Sequence, residues 1–158
     1  MTGEDTTAAP LELAPPRQAG VRRALRTVGH AAGWLHLALA SAVVLGVFVQ
    51  VYLVGSYIFG AGQGALDAHQ SAGFVVQGLE VLVFLTALLA WLPRVDRLLS
   101  LSLAVVGSVQ AGLASADRWV GGLHPLLALI VLSLAAALVQ RGARRCRAPV
   151  EPVAGSTG

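Results

Sequence analysis

Four apolar stretches divide this sequence, roughly Gly33 to Phe59, Ser71 to Leu92, Leu98 to Ala116 and Leu123 to Val139. Each approaches the about 20 residues that an α-helix needs to cross about 30 Å of hydrocarbon. Lipid offers no partners for backbone N–H and C=O groups, so a spanning segment is either a helix or a strand of a closed barrel. None of the four alternates apolar and polar residues as barrel strands do. The reading is therefore an all-α membrane protein. Of the 158 residues, 56% are hydrophobic and 12% charged, against about 25% charged in an ordinary soluble domain.

Arginine placement sets the orientation. Four arginines precede the first stretch, Arg94 and Arg97 lie between the second and third, and Arg141, Arg144, Arg145 and Arg147 follow the fourth. Arg118 alone falls on the opposite side, near Asp67 and Asp117. Cytoplasmic loops carry the excess of basic residues, so both termini are expected in the cytoplasm, N-in/C-in. Trp34 and Trp91 then mark the inner interface and Trp119 the outer one. Short connections make consecutive helices antiparallel, which predicts a four-transmembrane-helix, up-down-up-down bundle. The lack of lysine and asparagine beside abundant Ala, Leu, Val and Gly reads as a GC-rich bacterial coding sequence, which places the protein in the cell inner (plasma) membrane.

The domain reading follows. Residues 1–16 are expected to form a disordered cytoplasmic lead, and the apolar segment after them begins too far from Met1 and runs too long for the h-region of a secretory signal, about 7 to 15 residues. Residues 17–30 form a basic amphipathic juxtamembrane segment, with Val21, Leu25 and Val28 on one side. Its Arg22, Arg23 and Arg26 suit the anionic inner leaflet. Residues 31–140 make the bundle, and 141–158 an arginine-rich and then flexible tail. The pI near 10.0 does not point to nucleic acid, because the arginines flank apolar segments instead of forming a basic face with aromatics. Cys146, the single cysteine, excludes an internal disulfide and a thiolate metal cluster.

Ionisable groups inside hydrocarbon are costly and by default face the bundle interior. Glu80 lies about halfway along the second stretch, where it is expected to be neutral or hydrogen-bonded. His69, Gly73, Gln77 and Glu80 fall close to one line on a helix. On the first helix His36, Gln50 and Tyr57 are related by sevens and make a second polar stripe. Gln110 adds a buried amide from the third. One reading of these groups is a hydrogen-bond network joining the helices. Another is a path for a proton or small solute, although the inner halves of the third and fourth helices offer almost no polar groups for it.

Two histidines suggest a cofactor. Each helical hairpin carries a glutamine in the outer half of its first helix and a histidine opening its second, Gln50 with His69 and Gln110 with His124, a weak internal repeat. In a bundle whose second and fourth helices are diagonal, His69 and His124 face each other at similar depth. That is the geometry by which two imidazoles ligate one heme iron from opposite faces. Gly73 and Ala128 leave room for a flat ring, and Arg118 is the cation for a heme propionate. Pro125 makes His124 the residue just before a proline-started helix. No phosphate-cradling glycine loop, no nucleophile with a base in register and no acidic metal cluster is present, so an enzymatic role is not indicated.

The segments Gln50-Val-Tyr-Leu-Val-Gly55, Asp67-Ala-His69 and Leu123-His124-Pro125 resemble an uncharacterised bacterial family of four-helix membrane proteins, over roughly residues 34 to 140. The arrangement also looks like one four-helix half of the heme A synthase family. That resemblance implies that His69 and His124 are heme ligands. Heme A synthases have two halves and further histidines, whereas this chain has one half and one outer pair. What it implies here is a heme-binding or electron-transferring relative holding a b-type heme; oxidation of a heme methyl group is not implied. The alternative is a structural or small-solute/proton-transport membrane subunit with no cofactor.

Overall fold

A computed structural model describes residues 16–114 and 118–147. The N-terminal lead before Pro16 and the tail beyond Arg147 lie outside the described residues. Within them the chain is helical: α1 (Pro16–Ile58), α2 (Gln63–Leu89), α3 (Arg94–Leu113), the short α4 (Arg118–Gly121) and α5 (Leu123–Arg147). Three spans, Gly20–Ile58, Gln63–Leu89 and Trp119–Arg147, are long and apolar enough to cross a membrane, the make-up of a helical membrane protein. Helix α3, 20 residues long with Arg94, Asp96 and Arg97 at its start, falls outside that group.

The basic segment and the first apolar stretch form a single helix of 43 residues, with no break near His30. Helix α2 starts eight residues before the apolar stretch does, because Gln63 Nε2 donates to Asp67 Oδ1 at 3.1 Å, one turn on, and supports a polar first turn. His69 is therefore nearly two turns inside α2, whereas the sequence placed it at the helix start. His124 is the second residue of α5, and Pro125 behind it sits within the first turn, where a missing N–H costs nothing.

Helices α1 and α2 end alike. After α1, Ala61 N–H reaches Ser56 O and Gly60 N–H reaches Tyr57 O, with Gly60 at φ +94°. After α2, Leu92 N–H reaches Ala87 O and Trp91 N–H reaches Leu88 O. Both are Schellman closures. The second places Trp91 at φ 46° where glycine is usual, and its indole ring lies over Gly29 of α1. Pro93 then precedes α3.

Helix α1 packs on α2 and α5, and α3 packs on the same two, so that α2 and α5 lie diagonally across the bundle. Contacts run in opposite senses along neighbours: His36 meets Val83 while Gln50 meets His69. The core is small and aliphatic, built from Ala40, Val43, Val47, Val83, Leu103, Val131, Ala135 and Leu138. Large apolar side chains point outward: Leu45 is 65% exposed, Phe74 73% and Leu129 61%. An apolar exterior around a thin core suits lipid and not water.

The buried positions repeat. Ala32, His36, Ala40, Val43 and Val47 recur 60 positions later as Leu92, Asp96, Ser100, Leu103 and Gly107, all buried. Glu80, Val83 and Ala87 recur 55 positions later as Ala135, Leu138 and Gly142. Gln50 and Gln110 share the first offset, and His69 and His124 the second. The α1–α2 and α3–α5 hairpins are thus two editions of one pattern, much deeper than the two points per repeat visible beforehand.

Candidate functional site

The repeat brings two histidines together. His69 and His124 have ring centroids 6.2 Å apart, with planes at 79°. His69 Nδ1 lies 3.1 Å from the backbone carbonyl of Gln50, and His124 Nδ1 lies 3.1 Å from that of Gln110. A carbonyl only accepts, so each Nδ1 carries the proton and each Nε2 keeps a lone pair. Both halves thus anchor one imidazole in the same way, with the tautomer and orientation that metal-ligating histidines take from a second partner. Sequence spacing pointed to both glutamines, though for their side chains; it is their backbone oxygens that hold the rings.

Two imidazoles, each with Nδ1 held by a carbonyl, are a donor pair of the kind a heme would use. Among the described residues no group of three or more His, Cys, Asp and Glu side chains gathers to hold a metal ion. A macrocycle brings four donors of its own and needs only two axial ligands. Were a heme bound here, His69 and His124, with ring centroids 6.2 Å apart, would be the side chains to hold it. The histidines stand on the diagonal helices α2 and α5.

The remaining expected residues sort differently. Gly73, one turn below His69, is covered by the Gln50 amide, whose Nε2 lies 2.7 Å from where a Cβ would stand; its space serves the amide and not a flat ring. Ala128 holds the matching place below His124, half-buried. Arg118 opens α4, and its side chain lies outside the described residues. Tyr57 is 40% exposed and leaves the interior stripe, because 21 residues carry a helix about 60° away from a strict heptad.

Among the described residues no hydrogen bond links Gln50, Gln77, Glu80 and Gln110 to one another. Gln50 Oε1, Gln110 Oε1 and Glu80 Oε2 are buried without a hydrogen-bond partner among the described residues. Gln77 Nε2 reaches only Ser108 Oγ, at 3.5 Å. Glu80 is 2% exposed, and its carboxyl rests directly on Gly107 of α3, in the space a Cβ would fill.

The inner end holds one residue of the expected polar stripe and, beside it in the repeat, a charged cluster that the sequence reading missed. His36 is fully buried; its Nδ1–H donates to Val83 O at 3.0 Å, and its Nε2 has no partner among the described residues. Sixty positions on, Asp96 is also fully buried, and Arg141 Nε and Arg145 Nη1 of α5 both donate to its carboxylate. Thr86 and Ser100 are buried hydroxyls nearby in sequence, each donating to a backbone carbonyl one turn back. The inner halves of α3 and α5 are therefore polar, contrary to expectation. The signal is legible as Asp96 among flanking arginines, with Arg141 and Arg145 one turn apart, although the positive-inside rule alone also accounts for those arginines.

No protein-family model matches this chain, no curated protein matches it, and no solved structure matches it.

Proposed function

We propose that the chain crosses the bacterial inner membrane four times with both termini in the cytoplasm, and binds one b-type heme between His69 and His124 near the outer face. Helix α3 is the further crossing: its 20 residues extend about 30 Å, the thickness of the hydrocarbon. The placement of ten of eleven arginines on one side supports the orientation.

One observation carries the heme reading. Two imidazoles stand 6.2 Å apart, both with Nδ1 tied to a glutamine carbonyl, and so with both Nε2 lone pairs free. A heme supplies one-electron exchange between ferric and ferrous iron. The chain supplies orientation through Gln50 and Gln110, a low-dielectric surround, and Arg118 as cation for a propionate. The role that follows is electron transfer.

The test is the absorption spectrum of the purified protein after expression with ample heme supply. Wild type is expected to show a Soret band that is lost in His69→Ala and in His124→Ala, while both variants keep their helical content. Unchanged spectra in both variants would overturn the assignment.

A further inference from the structure

Glu80 is an acid without a counter-charge. Its Oε2 is buried and unpartnered among the described residues, and the carboxyl lies against the backbone of Gly107. Asp96, the other buried acid, is compensated by two guanidiniums. An unpaired carboxylate in such a place is disfavoured unless a positive charge lies within reach. Resting on the heme reading, we infer that Glu80 is a redox-linked proton site: it is ionised while the histidine site holds a ferric centre and takes up a proton when that centre is reduced.

The placement carries this. Eleven residues of α2 separate Glu80 from His69, about 16 Å along the helix, and the side chain, directed toward the helix N-terminus, shortens the interval. At 10 to 16 Å and an effective dielectric near 20, one unit of charge changes a carboxyl's proton affinity roughly tenfold. The charged and titratable groups around Glu80 are few. His36 approaches from α1, bonded to the carbonyl of Val83, three residues on. Among the described residues the buried charge on α3 and α5 is Asp96 with Arg141 and Arg145, mutually paired at the inner end beside Arg94, Arg97, Arg144, Cys146 and Arg147, and the histidines of the site are His69 on α2 and His124 on α5.

Were a heme held between His69 and His124, its reduction by an external one-electron donor would raise the proton affinity of the Glu80 carboxylate; the proton would come from hydronium at the aqueous surface, one O–H bond breaking there and one forming at the carboxyl, and a tenfold change in affinity corresponds to about half a proton taken up per electron at the centre of the titration.

The experiment is a redox titration of the heme-loaded full chain at a series of pH values, followed by its visible bands. In wild type the midpoint potential is expected to fall by about 59 mV in total as pH rises through the titration, the equivalent of a tenfold affinity change for one electron. Glu80→Gln is expected to abolish that dependence with heme content intact, and His36→Gln to retain it. A reduced-minus-oxidised infrared spectrum of wild type is expected to show a carboxylic acid C=O band, which keeps the test open should Glu80→Gln fail to fold. A Glu80→Gln variant with the wild-type pH dependence, or one lost in His36→Gln instead, overturns the inference while leaving heme binding intact. A wild-type chain that takes up no heme overturns the heme reading and the inference together.

Discussion

Gly107 gives Glu80 its place. A methyl group there would occupy the position of the carboxyl, so Gly107→Ala forces Glu80 out of its seat in a packed interior. Overpacking of this kind costs about 1–3 kcal/mol. Denaturation of Gly107→Ala in detergent is expected to show that loss, and the same substitution in a Glu80→Ala background is expected to cost well under half as much, because the colliding group is gone. Equal costs in both backgrounds would contradict the contact. At this scale the sequence was informative about type and weak about partners. Glu80, Gln50 and Gln110 were recognisable as buried from their setting in apolar helices. Their unpartnered oxygens were not, since a helical face says which way a side chain points and not what lies opposite.

Among elements, the α3–α5 seam is held by charge at its inner end. Asp96 is fully buried while the Arg141 and Arg145 side chains are 42% and 33% exposed. Removing one partner of a fully buried pair costs about 3–5 kcal/mol; solvent screening of the two arginines lowers the expectation here to roughly 1–3 kcal/mol. Asp96→Asn is expected to destabilise the bundle by that amount in a detergent melt and to loosen α5, measured as faster amide exchange between Ala135 and Arg145. A melt within about 0.5 kcal/mol of wild type, the usual range for a neutral surface change, would show the cluster to be incidental. Helix existence was legible from apolar length alone, but the boundaries were not. Polar turns such as Gln63–Asp67 and the arginine-bearing end of α5 are helical because local side-chain bonds and packing extend them beyond the apolar window.

For the whole molecule, the duplicated hairpin organises everything else. Two helices offset by 60 positions and two offset by 55 set glutamine carbonyls and histidines on both sides of one axis. They also set unlike residues, His36 and Asp96, at the inner end. The histidine pair was foreseeable from two matched points. The depth of the repeat was not, because apolar residues substitute freely and hide it until burial is known. The proposed orientation puts Cys146 on the cytoplasmic side, where it is half-buried at the end of α5. A membrane-impermeant maleimide is expected to label it in inverted vesicles and to leave it unlabelled in intact spheroplasts; the reverse pattern would overturn the topology.

The heme claim itself is tested most directly by the heme-to-protein ratio and low-temperature electron paramagnetic resonance of the purified ferric protein. One low-spin heme per chain, converted to high-spin or lost when either histidine is replaced, is the expected result. A protein that stays colourless with a full supply of heme, or a signal indifferent to both histidines, would contradict it.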